Sequence, residues 1–220
     1  MIEANGLCKH YGKGDRQVKA VDQVDLSVGP GDFVSIMGHS GSGKTTLLSL
    51  MGGLTRPTSG TVRVDGVDLW GIRDQALARL RNRRIGFVYQ FASLIPTLTA
   101  LENVVLPVVF GTPPPDARER AMELLGTLGM ADRSGAYPGQ LSGGEQRRVA
   151  IARSFINQPA VVLADEPTGD LDEETEAEVL EFFTRMNREQ VAFVLVTHSR
   201  ELAALGRVRL RMDHGRLMRL

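Results

Sequence analysis

The segment that most constrains this chain is glycine-rich: Gly38-His39-Ser40-Gly41-Ser42-Gly43-Lys44-Thr45, which matches the pattern G-x-x-x-x-G-K-[ST]. An apolar run, Phe33–Met37, precedes it, and a helical pattern from Thr45 to Leu54 follows it, so the unit is strand, loop and helix. Glycines in such a loop let successive backbone amides turn towards a polyphosphate, and the amino end of the helix adds positive potential. Lys44 is placed to reach the β and γ phosphates, and the Thr45 hydroxyl is placed to ligate Mg²⁺. The segment predicts a nucleoside-triphosphate site.

A second acidic element complements the glycine-rich loop. The apolar run Val161–Ala164 predicts a buried strand that ends in Asp165 and Glu166. We expect Asp165 to hold Mg²⁺ and Glu166 to accept a proton from the attacking water, a role worth roughly 10²–10⁴-fold in rate. An apolar run ending in two acids is weak evidence alone, but it is strong evidence beside the loop. A GTPase fits this chain less well, because GTPases read guanine with an Asn-Lys-x-Asp segment and no lysine follows Lys44.

The remaining patterns predict an α/β architecture. Val18–Val28 and Thr61–Leu69 show the partial alternation of antiparallel strands. Later apolar runs alternate with helical patterns, which favours a mostly parallel sheet. Residues 91 to about 157 are mostly helical in pattern, with Ser/Thr-x-x-Glu capping boxes that start helices at Thr99 and Ser142.

One further segment, Leu141-Ser142-Gly143-Gly144-Glu145-Gln146, resembles the signature motif of ATP-binding-cassette (ABC) ATPases. The resemblance covers essentially the whole chain and implies a P-loop NTPase core of the ABC-ATPase type, with an antiparallel β subdomain and an inserted α-helical subdomain. It implies a single domain over residues 1–220, in which 1–90 and 158–220 form the core and about 91–157 form the helical subdomain. ATP and Mg²⁺ are the implied cofactors, and ATP hydrolysis is the implied reaction.

The same resemblance implies roles for individual residues. Gln90 matches the glutamine that contacts Mg²⁺ or the attacking water, Asp172 lies in a segment (Gly169–Asp172) that matches the D-loop, and His198 matches the switch histidine. Glu166, His198 and Gln90 are then the catalytic set, while Thr45, Gln90 and Asp165 are the metal set. The implied nucleotide-binding residues are Tyr11 (stacking on adenine), Gly38, His39, Ser40, Gly41, Ser42, Gly43, Lys44, Thr45, Thr46, Ser142, Gly143, Gly144, Glu145 and Asp172.

The signature segment also has a physical reading of its own. Ser142 and Glu145 cap a helix whose first amides are flanked by glycine, and such a helix end attracts an anion. One triphosphate needs one cradle, yet the chain has two. The resemblance implies a head-to-tail homodimer in which Ser142 and Gly144 of one chain meet the γ-phosphate held by the other. A plain helix cap explains the spacing but not both glycines.

Composition and the lengths of the apolar runs limit the classes of partner and the location of the protein. Lys plus Arg and Asp plus Glu both number 26, so no net basic field favours nucleic acid. The single cysteine, Cys8, cannot form an intramolecular disulfide, and the longest apolar runs fall far below the ~20 residues that span a bilayer. These features predict a soluble, cytoplasmic protein. His10 and His214 are expected at the surface, and no His/Cys cluster shows metal-ligand spacing.

The segment after Gln90 is similar to that of the lipoprotein-releasing and macrolide-exporter (LolD/MacB) group of ABC ATPases. That similarity implies an ATPase that powers a separate integral membrane permease and lies peripherally on the inner face of the cell membrane. Phe91, Leu94, Ile95 and Leu98 either form the groove, near Gln90–Leu98, that receives the permease or close the core of the helical subdomain. Gly38-His39 is similar to the cell-division branch of the family, so an ATP-dependent regulatory module that moves no solute is the alternative function.

Overall fold

A computed structural model describes residues 1–12, 14–111, 116–169 and 171–220, and describes Asp15 by its backbone alone. In these ranges the strands are β1 (Ile2–Tyr11), β2 (Val18–Val28), β3 (Phe33–Met37), β4 (Ser59–Val64), β5 (Val67–Asp68), β6 (Ile85–Val88), β7 (Val161–Asp165), β8 (Ala192–Val196), β9 (Val208–Asp213) and β10 (Arg216–Arg219). The α-helices are α1 (Lys44–Met51), α2 (Asp74–Arg84), α3 (Ala100–Val109), α4 (Ala117–Thr127), α5 (Gly143–Phe155), α6 (Glu173–Arg188) and α7 (Arg200–Ala204).

The main sheet has the strand order β10-β9-β3-β8-β7-β6, and all but β10 run parallel. The predicted parallel core is therefore confirmed. Since the carboxyl ends of parallel strands lie at one edge of a sheet, the loops that follow β3, β7 and β8 meet there. Two strands, β7 and β8, lie between β3, which precedes the glycine-rich loop, and β6, which precedes Gln90.

A second, antiparallel sheet has the order β2-β1-β4-β5. The strand predicted at Val18–Val28 is confirmed. The strand predicted at Thr61–Leu69 is instead two strands joined by a tight turn, because Asp65 and Gly66 both adopt positive φ (50° and 79°). Strand β1, which the sequence patterns did not reveal, lies in the middle of this sheet and pairs with both β2 and β4. Irregular register along β1 weakens the alternation that would have marked it.

Two apolar clusters lie on the opposite faces of the main sheet. Val161 and Leu163 of β7 pack with α1 and the antiparallel sheet, whereas Val162 and Ala164 pack with α3, α4, α5 and α6. This alternation is the two-residue period of a strand buried on both faces. The helices between residues 91 and 157 therefore share a core with the main sheet, and the division of the chain into a core and a helical subdomain stays a prediction.

Helix ends follow local chemistry. Thr99 and Ser142 cap α3 and α5 through complete capping boxes, as predicted. The helix predicted to reach Leu54 ends at Met51, because Gly52 and Gly53 follow and Gly53 adopts a φ of 63°. Within the described part of the chain, no helix has the length and apolarity to cross a membrane.

Candidate functional site

A cleft of about 900 Å³ opens at the carboxyl edge of the main sheet, beside the glycine-rich loop. Residues from both sheets line it, namely Tyr11, Val18, Lys19, Ala20, Gly38, His39, Ser40, Gly41, Gly43, Lys44, Thr45, Thr46, Gln90, Asp165, Glu166, His198, His214 and Gly215. The structure thus brings most of the predicted nucleotide-binding and catalytic residues to one place. The volume of this cleft is in the range of small-molecule binding sites.

The loop depends on glycine at two positions. A β-carbon at Gly43, whose φ is 107°, would collide with the carbonyl oxygen of Ala20, and a β-carbon at Gly38 would collide with that of Met212. Gly43 starts α1 without a side-chain cap, so the first amides of the helix have no partner of that kind. Such amides suit an anion. The loop therefore offers a phosphate cradle built from its backbone.

Two side chains of the loop have contrasting positions. The Lys44 ammonium group folds over the loop and donates to the carbonyl oxygens of Gly38 (2.8 Å) and His39 (2.9 Å). Ser42 is 1% exposed, its hydroxyl has no hydrogen-bond partner in the described ranges, and it is absent from the residues that line the cleft. Ser42 therefore supports the loop from below in this arrangement, although it was predicted to contact the nucleotide.

Thr45 and Asp165 meet across the base of the cleft. The Thr45 hydroxyl donates to Asp165 Oδ2 over 2.6 Å. Burial raises the pKa of Asp165, the bond from Thr45 opposes that rise, and the neighbouring Glu166 adds to it. A buried carboxylate beside a hydroxyl is a set of hard oxygen donors, which is the chemistry that Mg²⁺ prefers. The residues present therefore fit a magnesium ion.

Glu166 is held by three contacts from the segment that follows β8. Its Oε2 accepts hydrogen bonds from Thr197 Oγ1 (3.0 Å) and the His198 amide (3.2 Å), and its Oε1 lies 2.9 Å from His198 Nδ1. Glu166 also adopts a φ of 47°, which is costly for a residue with a side chain. The adjacent parallel strands β7 and β8 bring Glu166 together with Thr197 and His198, although 31 residues separate Thr197 from Glu166 along the chain.

Gln90 and Tyr11 reach the cleft from its two sides. Gln90 follows the edge strand β6, and the Arg147 guanidinium of α5 donates to the carbonyl oxygens of Tyr89 and Gln90. Arg147 thereby ties the segment of Gln90 to the helix that begins at the signature motif. Tyr11 is 46% exposed, and Lys9 lies over its ring at 5.2 Å from the centroid.

Other predicted residues lie away from this cleft in a single chain. Ser142, Gly143, Gly144 and Glu145 are at the start of α5 and do not line it. Asp172 caps α6, where its carboxylate accepts bonds from the amide and hydroxyl of Thr175, and these bonds lower its pKa. Asp170, in the predicted D-loop, falls outside the described residues.

Sequence reasoning missed part of the cleft wall. His214 was expected only as a surface residue, and although 87% of its side chain is exposed, it lines the cleft with Gly215. Bonds between Gly215 N–H and the Ser42 carbonyl (3.0 Å) and between Asp22 N–H and the Gly215 carbonyl (2.9 Å) hold this turn against the loop. The turn signal Asp213-His214-Gly215 was visible in the sequence, but its neighbour was not.

The fold and the site define a P-loop nucleoside-triphosphatase. A family model described as "ABC transporter" matches residues 21–169. Since that match spans more than half of the chain, the protein belongs to the ABC transporter family and is an ABC-type ATPase.

Known proteins similar to this chain are of the same kind. The relative named "Lipoprotein-releasing system ATP-binding protein LolD" from Bordetella pertussis is 49% identical over 98% of this chain and 94% of its own length. The protein of that name from Geobacter metallireducens is 47% identical over 99% and 98%. A solved dimeric cassette in a post-hydrolysis state, bound to ADP and Pi, is 39% identical with a TM-score of 0.93, and the match covers 100% of this chain and 97% of that one. A second dimeric structure, of a bacterial ABC transporter cassette, is 40% identical with the same TM-score and coverage.

Proposed function

We propose that this chain binds Mg²⁺ and ATP in the cleft and hydrolyses the ATP to drive a separate membrane subunit of a lipoprotein-releasing system. The observation that carries the site assignment is the meeting of Thr45, Asp165, Glu166 and His198 at one edge of the sheet. The names of the relatives support the choice of system.

Thr45, Asp165 and Gln90 would hold the metal ion, which supplies charge neutralisation on the phosphates. Lys44 and the free amides at the start of α1 bind the β and γ phosphates, and Tyr11 stacks on the base. Glu166 takes the proton of the attacking water. Because His198 Nδ1 already faces Glu166, its other ring nitrogen stays free for a phosphate oxygen.

The signature helix needs a different occupant for its amino end. Ser142 and Gly143 are exposed, and a β-carbon at Gly143 would meet no atom of the described part of the chain within 4 Å, so this end is open to a phosphate. Because the cleft of the same chain lies elsewhere, we propose that a second chain, docked head to tail, brings its nucleotide there. The dimeric state of both solved relatives supports this arrangement.

Mixing two inactive variants tests the shared site. Lys44→Ala removes a phosphate contact, and Ser142→Arg blocks the signature end, so each variant alone should be nearly inactive. In a mixed dimer one site carries both lesions and the other carries none, so part of the ATPase activity should return. Absence of recovery, although heterodimers are present by mass measurement, would contradict a shared site.

The membrane subunit would dock beside the segment that follows Gln90. Phe91 is 75% exposed and Ile95 is 42% exposed, whereas Leu94 packs against the core cluster that α3 and α5 share with the main sheet. Leu94 therefore belongs to the core, as one interpretation of this run has it, and the docking surface that we propose contains Phe91 and Ile95. Through such a partner the chain would lie on the cytoplasmic face of the inner membrane.

A purely regulatory role stays the alternative, supported by the similarity of Gly38-His39 to the cell-division branch. The relatives reported above favour transport, because their names state lipoprotein release. Co-purification of a multi-span membrane protein, and the layout of its extracytoplasmic domain, separates the two. A partner that lacks a substrate-handling domain and is itself switched by ATP would contradict the transport function.

A further inference from the structure

A cysteine, a histidine and an aspartate converge in the antiparallel sheet, outside the groups to which we assigned ATP chemistry. Cys8 and His10 belong to β1 and Asp22 belongs to β2. One potential ligand atom from each lies within 4.8 Å of the other two. The sequence shows no His/Cys cluster with metal-ligand spacing, because these three positions are not spaced as ligands along the chain, yet their side chains meet in space. The pairing of β1 with β2, in which Lys9 faces Val21, creates this cluster.

The histidine and the cysteine of this cluster differ in how the described residues satisfy them. His10 Nε2 is buried and has no hydrogen-bond partner among the residues that the structure describes, which is unfavourable for a buried polar atom. Cys8 is 2% exposed, and its Sγ accepts hydrogen bonds from the backbone amide and the side-chain amide of Gln23, both at 3.2 Å. Gln23 adopts a φ of 55°. N–H donors on a sulfur are the outer contacts that suit a metal-bound thiolate.

The aspartate is already prepared as an anionic ligand. Asp22 Oδ2 accepts bonds from Arg216 Nε (3.1 Å) and Nη2 (2.9 Å), so the guanidinium fixes the orientation of the carboxylate. Its Oδ1 lies 3.9 Å from Lys19 Nζ, beyond a hydrogen bond. Arg216 thus orients the carboxylate through one oxygen and leaves the other available, and only 12% of the Asp22 side chain is exposed.

We propose that Cys8, His10 and Asp22 bind a zinc-class divalent ion. Thiolate and imidazole select Zn²⁺ and its transition-metal neighbours over Mg²⁺ and Ca²⁺, which prefer oxygen. Bonds of about 2.0–2.3 Å to a tetrahedral ion set ligand separations of roughly 3.3–3.8 Å, so the three side chains need small rotations. On binding, the Cys8 thiol releases its proton to solvent, and water fills the fourth position.

Charge sets the expected strength of this site. One thiolate and one carboxylate balance the two charges of the ion. Lys19 and Arg216 bring positive charge to the same carboxylate and lower the affinity relative to a site without them. The ion would join two strands next to the cleft wall, since Tyr11, Lys19 and Ala20 line the cleft. Binding to the folded state should therefore raise the unfolding temperature.

Cobalt is the probe, because Co²⁺ reports a thiolate ligand through a near-ultraviolet charge-transfer band. The nucleotide-free, metal-stripped full chain is titrated with Co²⁺ and then with Zn²⁺, which should displace it and extinguish the band. Cys8→Ser should abolish the band, and His10→Gln should keep it while weakening affinity tenfold or more. The matched control is His214→Ala, which disables a second, exposed cluster whose ligand atoms (His39, Asp213, His214) also lie within 4.8 Å of one another.

The control variant should bind the ion as the wild type does. Absence of the charge-transfer band in the wild type, its persistence in Cys8→Ser, or loss of binding in His214→Ala would each overturn the proposal. The melting temperature of each metal-free variant is measured first. If Cys8→Ser does not fold, the decision falls to His10→Gln: a tenfold loss of affinity supports the site, and unchanged affinity overturns it.

Discussion

Replacing Glu166 with glutamine removes one proton acceptor and little else. Its Oε2 accepts from Thr197 Oγ1 and from the His198 amide, and an amide oxygen in that place accepts both bonds. The new NH₂ group faces His198 Nδ1, which lies 2.9 Å from Oε1 and accepts a bond when the imidazole is neutral. Because every contact has a replacement, the free energy of unfolding should change by no more than about 0.5–1 kcal/mol.

The expected loss is therefore confined to the chemical step. An amide cannot take the proton of the attacking water, and loss of a positioned general base lowers the rate by roughly 10²–10⁴-fold. That range corresponds to about 2.7–5.4 kcal/mol of transition-state stabilisation, at about 1.36 kcal/mol for each tenfold. ATP binding relies on the glycine-rich loop, Lys44 and Tyr11, so it should survive, and the ATP-bound dimer should accumulate.

Single-turnover release of phosphate at saturating ATP measures the chemical step. Fluorescent-nucleotide binding and light scattering measure affinity and dimerisation. Glu176→Gln is the matched control, since the Glu176 carboxylate accepts bonds from Thr168 (2.8 Å) and Ser199 (3.4 Å) but does not line the cleft. Turnover within about threefold of the wild type in Glu166→Gln, or an equal loss in the control, would refute the assignment of the base.

Burial raises the pKa of Asp165, so ionisation of this carboxyl as the pH rises through its folded-state pKa destabilises the metal-free protein. Asp165→Asn should therefore melt a few °C higher than the wild type at pH 7. The same variant should lose the Mg²⁺ dependence of ATP binding, and calorimetry with and without Mg²⁺ measures both effects. Phe91→Glu and Ile95→Glu should weaken binding of the membrane partner at unchanged melting temperature, whereas Leu94→Glu should destabilise the protein by about 1–3 kcal/mol. If Phe91→Glu and Ile95→Glu instead lower the melting temperature and leave partner binding intact, the docking surface lies elsewhere. Arg153 donates to two carbonyls of the segment after Gln90 (2.8 and 2.9 Å), so urea unfolding of Arg153→Ala should show a loss of about 1–3 kcal/mol; an unchanged midpoint would mean that water replaces both bonds.

The sequence by itself determined the features that depend on short spacing. The glycine-rich loop, the Asp165-Glu166 pair and the caps at Thr99 and Ser142 each involve residues within about one turn or loop of each other. Their backbone geometry and hydrogen bonds are local, so the order of residue types along the chain suffices to predict them. The position of a strand before the loop and a helix after it followed in the same way.

Only the tertiary structure decided which distant segments became neighbours. Strand order placed β7 and β8 between β3 and β6, and the sequence did not reveal this because the order in which parallel strands pair through crossovers leaves no local signal. Pairing of β1 with β2 assembled Cys8, His10 and Asp22, and packing of the helices turned Phe91 outward and Leu94 inward. Each of these outcomes depends on which surfaces are buried together, and burial is a property of the whole fold.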